Sequence, residues 1–111
     1  MKTSARSSKK HVTNITPEQK ESLDLEAKTI MESFAENMRN IVNVEDEKNV
    51  ALLQAHFDWA KKVVTSSKIE YLGMVKKYST DQRNLQALNS IEPGLPAYIK
   101  IVAMRNIAKI N

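Results

Sequence analysis

Residues 16–41, "TPEQKESLDLEAKTIMESFAENMRNI", have the pattern of one long helix. The stretch opens with a capping box, in which Thr16 and Gln19 bracket a proline at the first helical position. Apolar residues then recur at every third or fourth position, which is the period of one helix face. They are Leu23, Ala27, Ile30, Met31, Phe34, Met38 and Ile41. The stretch therefore predicts a long amphipathic helix with one apolar stripe.

The next part of the chain repeats the helical pattern. A second helix is predicted to follow "NVEDEK", residues 43–48, because acidic side chains suit a helix N-terminus. Ser67 and Glu70 form another capping box, which starts a short third helix. Ser79 or Thr80 is the expected cap of a fourth helix. The apolar stripe of the second helix comprises Val50, Leu53, Phe57, Ala60 and Val64.

The fourth and fifth helices should meet at "EPGLP", residues 92–96. Pro93 lacks a backbone donor, and Gly94 permits a conformation that is closed to other residues. Pro96 suits the first turn of a new helix, so we expect a corner between two packed helices. The last helix has Leu95, Tyr98, Ile99, Val102 and Ala103 on one side, and Ile101, Met104, Ile107 and Ile110 widen its apolar arc.

These patterns predict an all-α domain of about five helices over residues 16–111. Sustained alternation of apolar and polar residues is missing, and the chain has two glycines, which argues against strands and Gly-rich phosphate loops. A chain of 111 residues fits one small domain. Because no apolar run approaches the roughly 18 residues that cross a bilayer and no signal peptide is evident, we expect a cytoplasmic location.

The formal net charge of +4 resides entirely in the first 15 residues. Lys2, Arg6, Lys9 and Lys10 are four of the 17 basic residues, which leaves 13 basic against 13 acidic side chains in the rest of the chain. We interpret residues 1–15 as a flexible basic tail. A nucleic-acid arm is the less favoured reading of this tail, and nothing suggests a membrane partner.

Side chains suited to catalysis are scarce. The chain has no cysteine, which excludes thiolate metal sites and a cysteine nucleophile. Its two histidines, His11 and His56, are too few for a metal cluster, so we expect no metal, no cofactor and no enzymatic activity. A single histidine in a helix is more often a partly buried, hydrogen-bonded residue than a general base, and we read His56 in that way.

Large aromatic residues with a polar atom are the distinctive feature of the composition. Trp59, Tyr71, Tyr78 and Tyr98 each combine an apolar ring with a group that needs a partner when it is buried. Such residues suit either the core or the lining of a ligand cleft between helices. Phe34 and Phe57 are expected in the core.

The segment "EYLGMVKKYSTDQRNLQALNSIEPGLPAYI", residues 70–99, resembles the signature of the TipAS antibiotic-recognition domain. In that family a Gly-containing helix leads to a tyrosine, an Asp-x-Arg turn, and Pro-Gly-Leu followed by an aromatic residue. "LLQAHFDWAKKVV", residues 52–64, is also similar, with His56 and Trp59 at the places of paired ring-bearing residues. The resemblance covers about residues 16 to 105. The matching signature residues are Gly73, Tyr78, Asp81, Arg83, Pro93, Gly94, Leu95 and Tyr98.

The resemblance implies a globin-like helical bundle with a ligand cleft between helices. Domains of this family form the effector-sensing half of MerR-like transcription regulators and also occur in stand-alone proteins that sequester drugs and so confer resistance. Their ligands are bulky, mostly apolar antibiotics such as thiopeptides.

The chain departs from the family pattern at four points. Thiopeptide-sensing members use a cysteine that bonds to the antibiotic, and the matching residue here is Ser66, a far weaker nucleophile. The DNA-binding half is absent from this sequence, and the aromatic residue expected after Asp-x-Arg is Asn84. The helix that usually precedes the matched region is missing or replaced by the basic tail.

We therefore predict noncovalent binding of an antibiotic-like small molecule. The alternative is a helical protein-interaction module, or a homodimer, that uses the same groove. The role of Asp81 and Arg83 is expected to be organisation of the turn. The residues predicted to bind the ligand are Phe34, Met38, His56, Trp59, Ser66, Tyr71, Met74, Tyr78 and Tyr98.

Overall fold

The computed structural model describes residues 16–63 and 67–111. This part of the chain contains five α-helices and no strand, which confirms the all-α prediction. The helices are α1 (Pro17–Arg39), α2 (Glu47–Val63), α3 (Lys68–Lys77), α4 (Gln82–Ile91) and α5 (Leu95–Asn106), followed by a short 3-10 turn at Ile107–Lys109. None of the described helices combines the length and the apolar character that crossing a membrane requires. The predicted tail and Val64 lie outside the described residues.

Helix α5 is the centre of the packing, because it contacts each of the other four helices. Helix α1 packs lengthwise against α2. The buried apolar side chains come from every helix and form one core. They are Ile30, Met31, Phe34, Ala35, Leu53, Phe57, Ala60, Tyr71, Val75, Leu88, Leu95, Ile99, Val102, Ala103 and Ile110.

Helix α1 starts as predicted. The Gln19 backbone N–H donates to the Thr16 hydroxyl at 3.1 Å, and the Thr16 N–H donates to the Gln19 side-chain oxygen at 2.9 Å. Pro17 occupies the first turn. The capping box is therefore complete in both directions, and it fixes the helix start through contacts within four residues.

The end of α1 differs from the prediction, which placed Ile41 on the apolar stripe. The Ile41 N–H donates to Met38 and the Val42 N–H donates to Asn37, so the helix closes with a Schellman motif. Ile41 has a φ of 55° and is 89% exposed. The prediction for Ile41 is wrong because the chain leaves the helix at Asn40 and turns left-handed at the next residue.

The cap of α4 also differs from the prediction. Asp81, not Ser79 or Thr80, caps this helix, and its carboxylate accepts from the backbone N–H groups of Arg83 and Asn84. The hydroxyls of Ser79 and Thr80 instead donate back to the Lys76 carbonyl. Turns with helical spacing extend from α3 through residue 81, so Asp81 is the first residue that is free to cap.

The "EPGLP" corner is confirmed. Gly94 has a φ of 90° and occupies the position before the first residue of α5. This positive φ favours glycine strongly; a Cβ at Gly94 would also lie 2.9 Å from the methyl carbon of Met38, the flexible end of a side chain that can shift to make room. The predicted apolar arc of α5 is wrong at Ile101 and Met104, which are exposed. Ile107 and Ile110 lie beyond the helix end, where Ile107 is half-buried and Ile110 is buried.

The two halves of α1 are attached differently. All buried residues of this helix lie from Ile30 onward. In the first half, Leu25 is 64% exposed and Leu23 is half-buried. The first half therefore contributes little to the core and extends along the surface of α2.

Candidate ligand-binding site

His56 lies at the centre of the candidate site, in the middle of α2. Its Nδ1 atom lies 2.7 Å from the Tyr71 hydroxyl, and its Nε2 atom lies 3.1 Å from the Tyr78 hydroxyl. The imidazole is fully buried, as is Tyr71, whereas Tyr78 is half-buried. Helix α3 supplies Tyr71, and Tyr78 follows its last residue, so the two hydroxyls hold the ring at both nitrogens.

Further rings pack around His56. The Trp59 indole stacks on it with ring centres 5.7 Å apart, and Phe34 meets it edge-on at 6.3 Å. The Tyr71 and Tyr78 rings lie 5.3 and 5.9 Å from it. We call these five residues the ring cluster. They come from α1, α2 and the α3 region, so the ring cluster joins three parts of the fold.

The burial of the ring cluster keeps its groups uncharged. Burial lowers the pKa of His56 to about 4, so the imidazole is neutral near pH 7. Burial also raises the pKa values of the Tyr71 and Tyr78 hydroxyls above 10.0, and for Tyr71 the electrostatic influence of Tyr78 adds to this. The cluster is therefore neutral, apolar on its ring faces and hydrogen-bonded within.

Both ring nitrogens of His56 are engaged in hydrogen bonds, which determines whether the imidazole can act as a general base. A general base needs a free nitrogen within reach of the proton that it removes. Here the Tyr71 and Tyr78 hydroxyls take both positions. The interpretation of His56 as a hydrogen-bonded residue is confirmed, and its burial is complete rather than partial.

Three predicted site residues lie elsewhere among the described residues. Met38 packs against Gly94 at the corner between α4 and α5, and Met74 is half-buried at the edge of the core. Tyr98 donates its hydroxyl to the Val42 carbonyl at 2.8 Å and accepts from the Asn49 side chain at 2.8 Å. Tyr98 therefore fastens the loop between α1 and α2, and its ring is not one of those that pack around His56. Ser66 lies outside the described residues.

A groove opens beside the ring cluster. It has a volume of about 340 Å³ and is lined by the first half of α1 and the end of α2, through Gln19, Ser22, Leu23, Glu26 and Lys62. The Trp59 indole N–H donates to the Leu23 carbonyl at 2.9 Å, so this tryptophan spans from the groove wall to His56. The groove and the ring cluster are thus neighbours in space.

An ion pair crosses the groove. The Lys62 ammonium lies 3.3 Å from the nearer carboxylate oxygen of Glu26, and both side chains are partly exposed. A pair of this kind contributes little to stability, typically about 0.2 to 1 kcal/mol. It joins the first half of α1 to α2 only weakly, so it does not fix the width of the groove.

A second groove lies on another part of the pairing between α1 and α2. Its volume is about 460 Å³, and its lining is mainly polar: Ser33, Glu36, Asn37, Asn40, Lys48, Ala51 and Leu52. Neither groove has a predicted site residue or an aromatic side chain among its lining residues. The first groove is the better candidate for an apolar ligand because Trp59 of the ring cluster is hydrogen-bonded to its wall at Leu23.

Sequence reasoning missed the residues that line the first groove and two buried asparagines. Asn49 and Asn106 are fully buried. Asn49 lies four residues before Leu53 and seven before His56, which is the spacing of the buried face of α2. A polar residue at that spacing is a signal that the sequence offered. Leu23 lies on the predicted apolar stripe of α1, but its spacing did not mark a groove, and Lys62 gave no signal because it is exposed.

The described residues hold no group of three or more histidine or acidic side chains placed to bind a metal ion.

The family of the chain follows from its similarity to known protein families. The chain matches the family described as the TipAS antibiotic-recognition domain over residues 1–104. The chain belongs to the TipAS family. Neither a curated protein nor a solved structure matched it.

Membership of the TipAS family indicates the general activity to which the ring cluster should be related. TipAS domains recognise antibiotics, so recognition of a small molecule is the activity of this family. The all-α architecture agrees with that assignment, and the TipAS match covers all five helices except the last residues of α5. The TipAS match begins at residue 1, so it also includes the segment that we interpret as a basic tail.

Proposed function

We propose that this TipAS-family chain binds a bulky, mostly apolar small molecule, such as a peptide antibiotic, and does so noncovalently. Binding would sense or sequester the compound, which in a cell confers drug resistance or reports the presence of the drug. Family membership supports the class of ligand. The hydrogen bond from Trp59 of the ring cluster to Leu23 in the groove wall supports the place of binding.

The observation that carries this proposal is the contact between Trp59 and Leu23. It joins a groove wall to a buried aromatic cluster. Ring faces supply large apolar area, and neutral hydroxyls supply orientation, which is the usual composition of small-molecule sites. The site that we propose comprises the ring cluster and the groove, with Ser66 as a candidate neighbour.

The groove must widen to admit a bulky compound. Its 340 Å³ lies at the small end of the range for drug-sized ligands, roughly 300 to 1,000 Å³. Widening requires the first half of α1 to move away from α2. That half is held by the hydrogen bond from Trp59 and the ion pair from Lys62, and it buries no side chain fully. We infer that ligand binding shifts this half and leaves the core in place.

The chemistry of the site supports binding rather than catalysis. Both His56 nitrogens are engaged by tyrosines, so the imidazole is not a free base. Ser66 stands where thiopeptide-sensing relatives carry a reactive cysteine, and an unassisted serine hydroxyl is a poor nucleophile. Apolar contact would therefore supply most of the affinity.

Thermal-shift and calorimetric titration of the full chain with a panel of thiopeptides and other large antibiotics test the proposal. We expect at least one compound to raise the melting temperature, and Trp59→Ala to weaken its binding by tenfold or more. Met104→Ala is the matched control, because this exposed side chain lies on α5. No stabilisation at concentrations well above micromolar would count against the proposal. A stable dimer with no response to any compound would favour the partner-binding alternative.

A further inference from the structure

Two opposite charges line the second groove, which the proposed function does not use. Glu36 of α1 and Lys48 of α2 both line this groove of about 460 Å³. Across the first groove, the matching pair of Glu26 and Lys62 meets at 3.3 Å. Glu36 and Lys48 form no such ion pair, and neither has another charged partner among the described residues. The second groove therefore holds an unpaired acid and an unpaired base with space for a small ligand.

The same groove is lined by an amide whose orientation is fixed by buried groups. Tyr98 donates its hydroxyl hydrogen to the Val42 carbonyl, so its oxygen accepts one N–H of the Asn49 side chain. The other N–H of Asn49 goes to the Asn43 carbonyl. The Asn49 side-chain oxygen is therefore the acceptor for the side-chain nitrogen of Asn37, at 3.1 Å. Within the described residues, the amide of Asn37 keeps its oxygen and one N–H hydrogen for another partner.

The core sets the spacing between the two walls of this groove. The second half of α1 contains all the buried residues of that helix, and the hydrogen bond from Asn37 to the fully buried Asn49 joins it to α2. This half is therefore held more firmly against α2 than the first half is. Firm walls keep the two charges and the amide in place before a ligand arrives, which lowers the cost of binding.

We propose that the second groove binds a short zwitterionic peptide, with its ammonium group at Glu36, its carboxylate at Lys48 and a peptide group at Asn37. Such a ligand supplies the opposite charge to each unpaired side chain, and its peptide group offers an N–H and a carbonyl to the amide of Asn37. The site is separate from the first groove, because no residue lines both. Both charged side chains are exposed, and exposed ion pairs are weak, so we expect a dissociation constant in roughly the millimolar range.

Amide NMR titration of the full chain with diglycine and triglycine at low ionic strength tests the inference. We expect saturable shifts centred on residues 33–40 and 48–52. N-acetylglycine lacks the ammonium group and should bind about threefold more weakly than diglycine, the value of one exposed ion pair. The compound 5-aminopentanoate has the charges and length of diglycine without its peptide group. It should also bind about threefold more weakly, the value of a modest hydrogen bond.

Two surface variants separate the two charges. Glu36→Gln should weaken the binding of diglycine about threefold and leave that of N-acetylglycine unchanged, because N-acetylglycine has no ammonium group. Lys48→Gln should weaken the binding of both compounds. Glu32→Gln is the matched control, because it removes an exposed acid of α1 that does not line the groove. This control should bind diglycine as the original chain does.

Three results would overturn the inference: no saturable shift with either peptide, shifts centred outside the second groove, or equal affinities for Glu36→Gln, Lys48→Gln and the original chain. Equal binding of 5-aminopentanoate and diglycine would overturn the role of Asn37. Antibiotics take no part in these titrations, so their outcome is independent of the proposed function.

Discussion

Trp59 donates its indole N–H to the backbone carbonyl of Leu23 across 2.9 Å. This hydrogen bond joins the middle of α2 to the lightly attached first half of α1. The same indole stacks on His56, so one side chain connects the first half of α1 to the ring cluster. Loss of the hydrogen bond should therefore destabilise the first half of α1 before it destabilises the core.

Trp59→Phe should detach the first half of α1 without unfolding the domain. Phenylalanine keeps an aromatic ring beside His56 but has no N–H to donate. We expect a loss of about 1 kcal/mol in the free energy of unfolding, with faster amide hydrogen exchange confined to residues 17–29. Exchange and thermal unfolding are measured together, with Met104→Ala as the control. Unchanged exchange in residues 17–29 would show that the hydrogen bond does not hold this segment.

The two glycines should respond to alanine with opposite signs. Gly94→Ala places a Cβ at a φ of 90° and 2.9 Å from Met38, so we expect a loss of about 1–3 kcal/mol. At Gly73, in the middle of α3, a Cβ meets no atom within 4 Å. Gly73→Ala should therefore stabilise the chain by about 0.5–1 kcal/mol through helix propensity. Urea unfolding of both variants checks the signs, and a gain at Gly94 would contradict the corner geometry.

Ile41→Gly should stabilise the protein. A branched side chain at a φ of 55° is strained, and because Ile41 is 89% exposed its removal costs little packing. After the greater freedom of glycine in the unfolded chain is subtracted, we expect a gain of about 0.5–1 kcal/mol. Asn40→Gly is the control, since Asn40 has a φ of −87° and should lose stability or stay unchanged. Chemical denaturation of the two variants side by side distinguishes them.

Acid should destabilise the fold through His56. The pKa of the folded-state imidazole is about 4 against an ordinary 6.5, so between these values the unfolded chain binds more protons. Stability therefore rises with pH from about 4 to 6.5 and is fully present above 6.5. At about 1.4 kcal/mol per pH unit, the contribution reaches about 3 kcal/mol.

His56→Gln separates this contribution from the titration of carboxylates in the same range. Glutamine does not titrate, and its amide can still donate to one tyrosine and accept from the other. Urea unfolding of both proteins between pH 4 and pH 7 gives the difference in free energy at each pH. The free energy of unfolding of the original chain should increase relative to that of the variant as the pH rises. If the difference between the two free energies is the same at every pH, His56 titrates normally in the fold.

Local sequence signals predicted most helix boundaries. They failed where neighbouring residues were each suitable to cap or to end a helix. Ser79 and Thr80 are good caps by residue type, but the turn that ends α3 still includes them, so Asp81 takes the role. Ile41 continues the helical spacing of α1, yet the chain has already left the helix. In both cases the residue type was suitable and the preceding turn decided the outcome.

The sequence alone determined the helices and their caps, because a capping box or a glycine corner depends on hydrogen bonds and torsion angles within about five residues. Thr16, Ser67 and Gly94 are examples. Only the tertiary structure decided that His56 lies between tyrosines 15 and 22 residues away, while Tyr98 turns to the loop between α1 and α2. Those pairings depend on the angles at which helices cross, which are set by the packing of the whole core and not by the spacing within any one helix.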